Sequence, residues 1–175
     1  MNRLKITIRN FAIIAILFFL FMNLYGLYLT PMEAHKQSEH SIHYGPSRVV
    51  HVEEYDNERY MLGKYDKWVS CNTVRKIFFF WTLGDQPIGF ENDLSKGIDY
   101  SWNGATNQRY LLYGAKNDDN IEKVEFTLGN GDVFSTTTFH ENLFLIILKH
   151  KDDGVYIKNI KGYDKDNNII YEQSD

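Results

Sequence analysis

One uninterrupted apolar run constrains this chain more than any other feature. Phe11 to Leu29 reads FAIIAILFFLFMNLYGLYL, with Arg3, Lys5 and Arg9 ahead of it and no acidic residue up to Thr30. About 20 apolar residues, rising about 1.5 Å each as a helix, cross a bilayer. The run is long enough to do so, and the cations before it favour a cytoplasmic N-terminus. The expected organisation is a cytoplasmic stretch over residues 1–10, a transmembrane helix over 11–29, a stalk over 30–46 and one extracytoplasmic domain over 47–175.

A cleaved signal has a shorter apolar core that ends at a small-x-small site. Here Gly26 is flanked by Leu24 and Tyr28, and no Ala-x-Ala occurs before Ala34. A lipoprotein signal needs a cysteine just after the core, and the single cysteine is Cys71. Tyr25, Tyr28 and Pro31 stand where an interfacial aromatic belt and a helix stop belong. The expectation is therefore an uncleaved, single-pass anchor in the cell membrane, contacting the lipid bilayer through residues 11–29. Asn23 is expected near the outer interface.

The rest of the chain is acidic. Setting aside Arg3, Lys5 and Arg9, and no anion, moves the formal charge from -4 to -7. That sign opposes nucleic acid and anionic lipid headgroups as long-range partners. The length after the run allows one domain with its own core. The chain's 12 Tyr, 12 Phe and few prolines suit pleated strands. One cysteine cannot form an internal disulfide, and Cys71, between Trp68-Val69 and Val74, is expected to be buried.

Thr30 to Pro46 is polar and lacks an apolar period, so it reads as a stalk. Ser47 to Tyr65 reads as a hairpin: Val50 and Val52 alternate with His51 and Glu53, and Asp56-Asn57-Glu58 turns the chain. VRKIFFFWTL, Val74 to Leu83, is too short for a second span and reads as a buried strand, with a short helix capped by Asn72 or Ser70 as the alternative. Gly84 to Gly104 looks like a long irregular connection, either functional or hiding a short element. RYLLYGAK, IEKVEFTL, VFSTTTF, LFLIIL, VYIKNIKGY and IIYE read as strands. Turns at Asn117–Asn120, Gly129–Asp132, Asp152–Gly154 and Asp164–Asn168 separate them, with Asn130-Gly131 suited to a type I′ hairpin. Strands at this spacing predict a mainly β domain, an antiparallel sandwich or barrel. The anchor is the one helix expected.

Three stretches carry a resemblance: Gly63–Val69 (GKYDKWV), Asp99–Trp102 (DYSW) and the ending Ile160–Glu172 (IKGYDKDNNIIYE). With them the chain resembles uncharacterised small single-pass membrane proteins of Bacillus-like Gram-positive bacteria with an extracytoplasmic β domain. The resemblance implies a compartment and a fold class, and no catalytic or binding residue.

The candidate chemistry is thin. His35, His40, His43 and His51 fall within 17 positions, but a polar stalk explains them better than zinc does. Asp164, Asp166, Asn168 and Glu172 superficially follow a calcium loop. That loop needs a glycine after its third ligand, where Ile169 stands, and a glutamate at its twelfth position. Cys71 has no adjacent cation to stabilise a thiolate, and no Gly-x-Ser-x-Gly occurs. No catalytic residue, metal or cofactor is assigned. Aromatic residues interleaved with acids remain, from Tyr65 and Trp68 to Trp102. Trp68 and Trp81 are assigned to the core. Phe90, Tyr100 and Trp102, in the long connection, are the candidate partner contacts.

The reading is a non-catalytic interaction module at the outer membrane face, with a protein or cell-wall partner. The alternatives are a cell-envelope hydrolase and an exported binding protein released by cleavage. Convergence of Glu91, Asp93 and Asp99 around a cleft would favour the hydrolase.

Overall fold

The computed structural model describes residues 2–84, 89–104, 109–149 and 156–174. The expected turn Asp152–Gly154 and Val155, the start of the expected strand VYIKNIKGY, lie outside them. The first helix, α1 (Asn2–Leu24), carries the apolar run. Arg3–Leu24, with mean hydropathy 2.0, is long and apolar enough to cross a membrane. The helix stops five residues short of Leu29, at a glycine cap. Gly26 takes φ +60°, its N–H donates to Asn23 O (3.3 Å) and Leu27 N–H donates to Met22 O (2.9 Å). This is the paired-bond ending that glycine permits at a helix C-terminus.

Residues 30–46 do not form a stalk. Pro31–Ser41 is a second helix, α2, with one face buried. Its start is a reciprocal cap: Glu33 N–H donates to Thr30 Oγ1 (3.2 Å) and Thr30 N–H donates to Glu33 Oε2 (3.1 Å). Pro31 sits where a missing N–H costs nothing. The Thr-Pro-x-Glu signature was in the sequence. It is masked because the buried face is built from Ala34, His35, Ser38 and Glu39, of which only one residue is apolar.

Among the described residues twelve strands follow, all paired antiparallel, in three sheets. The first sheet holds β1 (Arg48–Tyr55), β2 (Glu58–Tyr65), β3 (Trp68–Ile77) and β4 (Phe80–Leu83) in that order, with β5 (Phe90–Glu91) also on β3. The second is β10 (Leu143–Lys149), β7 (Arg109–Lys116) and β6 (Ile98–Gly104). The third is β12 (Ile169–Ser174), β11 (Ile157–Tyr163), β8 (Lys123–Leu128) and β9 (Val133–Thr136). None closes on itself among the described residues.

The second sheet is packed on both faces. Leu111, Tyr113, Ala115 and Leu143 join Tyr60, Leu62, Val69 and Cys71 of the first sheet in one apolar cluster. Their sequence neighbours Leu112 and Phe144, with Ile98, join Val124, Phe126, Leu128, Ile157 and Ile160 of the third. Successive residues of a strand face opposite sides, so LFLIIL and RYLLYGA are apolar at consecutive positions where KVEFTL alternates. Cys71 is fully buried as expected, and burial raises its pKa.

Two local expectations change. Val74–Leu83 is not one buried strand. Ile77 pairs with Phe80, and Phe78-Phe79 form the two-residue turn between β3 and β4, each 88% exposed. Such turns favour Asn or Gly because they need positive φ. Phe78 adopts φ +52°, which costs an L-residue about 1–2 kcal/mol. The Asn130-Gly131 turn is wider than type I′: only Gly131 has positive φ there, and Leu128 N–H donates to Asp132 O (2.8 Å).

Candidate functional site

The end of α1 is stitched to the first sheet. Tyr28 N–H donates to Trp81 O (2.7 Å) and Trp81 N–H donates to Tyr28 O (2.8 Å), so a short length of chain after α1 extends the sheet beyond β4. Three residues later α2 begins and lies on β3 and β4. Ala34 packs there with Met61, Val74 and Trp81.

Beside this apolar contact, α2 covers a seam of polar side chains. His35, Ser38, Glu39, Ser70 and Asn72 are all at least 98% buried. Asn72 Nδ2 is 3.5 Å from His35 Nδ1, and Ser47 Oγ is 3.4 Å from His35 Nε2. Glu39 Oε1 is also 3.4 Å from His35 Nε2, while Glu39 Oε2 accepts from Ser47 N–H (3.1 Å). The chain can pass this close because Gly45, at φ +89°, has no side chain: a Cβ there would lie 2.7 Å from Glu39 Oε2. Burial lowers the His35 pKa against the upward pull of Glu39, with Lys36 adding to the lowering.

The seam is under-satisfied. Ser38 Oγ, Glu39 Oε1, Tyr44 OH, Ser70 Oγ and Asn72 Oδ1 are buried without a hydrogen-bond partner. Native proteins meet such groups with ordered water or a bound polar group. The arrangement is not a nucleophilic relay. A serine–histidine–acid relay places the acid on the ring nitrogen opposite the serine. Here Ser47 and Glu39 share Nε2, and Nδ1 faces an amide.

The seam opens to the surface at the end of α2. Lys36, Glu39, His40, His43, Tyr44, Gly45 and Pro46 line a recess of about 470 Å³. Ile42, His43, Tyr44, Tyr65, Trp68 and Gly89 line a neighbouring apolar cleft of about 400 Å³. The two share His43 and Tyr44. Tyr44 and Tyr65 meet edge to face at 5.7 Å. A Cβ on Gly89 would come within 3.1 Å of the Tyr44 ring, so the cleft floor depends on that glycine. Burial raises the Tyr44 pKa, its hydroxyl facing Ser70. Trp68, assigned to the core by sequence, is a half-buried wall of this cleft, whereas Trp81 is 8% exposed.

The three sequence-level contact residues lie elsewhere, in strands rather than in an irregular connection. Phe90 is in β5 and packs on Tyr113 at 5.8 Å. Tyr100 and Trp102 are on β6, and both pack against the cluster between the second and third sheets. Trp102 also stacks on Tyr110 at 5.1 Å. All three are half-buried. The structure does not bring them together with Tyr44, Tyr65 and Trp68.

The acids of that stretch are each engaged locally. Glu91 pairs with Lys67 (2.5 Å). Asp93 Oδ1 accepts from Ser95 N–H (3.0 Å) and Oγ–H (2.7 Å), which holds its pKa down. Asp99 accepts from Asp93 N–H (2.8 Å) and Lys96 Nζ (3.0 Å). These carboxylates brace their own turn. Asp164 does the same for the last hairpin, accepting from the N–H groups of Asp166 (2.9 Å) and Asn168 (2.8 Å). The histidines also separate: His35 is interior, His40 and His43 line the recess, and His51 stacks on His140 at 3.5 Å. No group of three metal-ligating side chains gathers among the described residues.

Sequence alone does not point to Tyr44 and the α2 seam, because the polar stretch 30–46 reads as a stalk. The usable signal was the Thr30-Pro31-x-Glu33 start, followed by small or polar residues four apart at Ala34 and Ser38. No family model, curated protein or solved structure matches the chain.

Proposed function

We propose that the chain is a non-catalytic recognition domain held at the outer face of the cell membrane by α1 as an uncleaved anchor. In this reading Arg3, Lys5 and Arg9 keep the N-terminus in the cytoplasm. The stacked, unclosed sheets form a three-layer sandwich outside. The cap at Gly26 and the Tyr28–Trp81 pairing favour an anchor over a cleaved signal, because they continue α1 into the domain. This is the compartment that the resemblance to Bacillus-like single-pass proteins implies.

The observation that carries recognition is the open aromatic cleft of Tyr44, Tyr65 and Trp68. Its volume of about 400 Å³ falls within the range of ligand pockets, about 300–1,000 Å³. Its aromatic walls suit one apolar side chain of a protein partner, with His43 and Tyr65 as polar handles at the rim. The local engagement of Glu91 with Lys67, of Asp93 with Ser95 and of Asp99 with Lys96 gives a hydrolase reading no support, and the acidic domain disfavours nucleic acid.

The test is a photo-crosslinking residue at Tyr65 in intact cells, with the same residue at exposed Leu94 as control. A discrete protein adduct at 65, absent at 94 and lost on Trp68→Ala, is the expected result. Recovery of nothing beyond the protein itself would count against the proposal.

A further inference from the structure

We propose that the β3–β4 hairpin tip, Phe78-Phe79, is a second membrane contact that inserts into the acyl chains of the outer leaflet beside α1. The inference rests on the reading of α1 as a membrane-spanning helix.

Four observations place it there. Phe78 and Phe79 are both 88% exposed, and Ile77 before them is 43% exposed. The turn puts Phe78 at φ +52°, a conformation that a bulky residue rarely adopts, and retained strain of this kind points to a use. The tip also has an address. Phe80 lies against Phe18 of α1, ring centroids 6.2 Å apart. Ala15, Phe18 and Met22 lie on one helix face, and Met22 is buried while Ala15 is half-buried.

Depth follows from these contacts. Trp81 pairs with Tyr28, just beyond the end of α1, while the Phe80 ring reaches the Phe18 ring. Phe18 is six residues inside Leu24, about 9 Å along the axis at helical rise. Moving from Trp81 to Phe80 therefore moves from the membrane boundary toward its interior, and Phe79 and Phe78 continue that way. The hairpin base has the composition of an interface. Trp81 lies under the Arg59 guanidinium (4.6 Å) and near Lys76 Nζ (5.8 Å), with Tyr25 and Tyr28 alongside at the end of α1. Aromatic rings at headgroup level, cations beside them and an apolar tip beyond are what an interfacial element needs. Two contacts, one helical and one a hairpin, fix the tilt of the domain on the membrane, which one helix alone does not.

The full chain in vesicles of phosphatidylcholine and phosphatidylglycerol tests this. An environment-sensitive fluorophore is attached to Phe79→Cys, with Ile14→Cys in α1 and Leu94→Cys on the far edge as references. Cys71 stays in place, since it is fully buried and does not label. Quenching by lipids carrying a doxyl group on the acyl chain is the readout. The expected result is quenching at 79 close to that at 14 and several-fold above that at 94. Quenching at 14 with 79 resembling 94 would overturn the insertion and leave the anchor standing. A blue-shifted but unquenched label at 79 would mean that protein covers the tip, and would also overturn it. Absence of quenching at 14 would overturn the anchor and the insertion together.

Discussion

Glu58 ties the first sheet to the second, and removing its charge should expose how much that tie contributes. Its carboxylate is 8% exposed at the start of β2. Oε1 accepts from Arg75 Nε (2.9 Å) and Nη2 (2.8 Å) on β3. Oε2 accepts from Arg109 Nη1 (2.5 Å) on β7 and from Tyr60 OH (2.9 Å). Glu58→Gln keeps the shape but turns one oxygen into an NH₂ group facing a guanidinium. At about 1.5–3 kcal/mol per charge-assisted hydrogen bond, two guanidinium partners would lose about 3–6 kcal/mol. The structure reduces that figure. Arg75 is 38% exposed and regains water, and Arg109, 13% exposed, keeps Asp56 at 2.8 Å. The expected loss is about 2–3 kcal/mol, and Glu58→Ala should lose more, about 3–4 kcal/mol, by leaving Arg109 without its buried partner. Urea unfolding of the detergent-solubilised full chain, followed by tryptophan emission, measures both. A shift in midpoint at constant slope reports stability alone. A loss below about 0.5 kcal/mol for Glu58→Gln would refute the reasoning, because the network would then behave as a screened surface pair.

Three further outcomes are expected. Gly114→Ala in β7 would push a Cβ into the Asp99 carbonyl, to 2.6 Å from Phe144 Cζ and 2.9 Å from Tyr100 Cα; the cost should be about 3 kcal/mol, at the upper end for overpacking. Gly131→Ala has open space and only its positive φ to oppose it, so about 1 kcal/mol is expected in the same urea assay. Stability should also fall on acidification: burial lowers the pKa of His35, and of His140 beside His51, below the ordinary 6.5. The unfolded chain then binds more protons, so the contribution is fully present above pH 6.5 and is lost as pH drops toward the lowered folded values. His35→Gln should flatten that slope between pH 7 and 5, and an unchanged slope would remove His35 from the account.

The legible parts of the fold are those where one local rule acts alone. β8 was readable because its burial alternates residue by residue, which leaves a period of two in the sequence, and the β1–β2 hairpin was readable from its Asp56-Asn57-Glu58 turn, although Val52, expected to face inward, is exposed. The same rule fails at Val74–Leu83. Ten mostly apolar residues look like one buried strand, and nothing local says that Phe78-Phe79 turn, since phenylalanine is a poor turn residue in water. It fails again at residues 30–46, where the buried face of α2 is mostly polar and its hydrogen-bonding partners come from β3 and from Ser47. The long connection hid β5 and β6, because Phe90-Glu91 is too short to show a period. The candidate cleft was illegible for a related reason: Tyr65 and Trp68 pair across the β2–β3 turn, but Tyr44 lies well before them in the chain, and only α2 docking on the first sheet brings it to them.

By itself the sequence determined an apolar N-terminal segment of membrane-spanning length, an acidic β-rich domain behind it, and a single cysteine destined for the core. These depend on composition and on short-range pattern, which every residue carries with it. The tertiary structure alone decided that the second sheet would be covered on both faces and that α2 would close a polar seam. It also decided that a phenylalanine pair would stand exposed beside α1. Each depends on which surfaces meet, and burial at one residue is set by side chains far away in the chain.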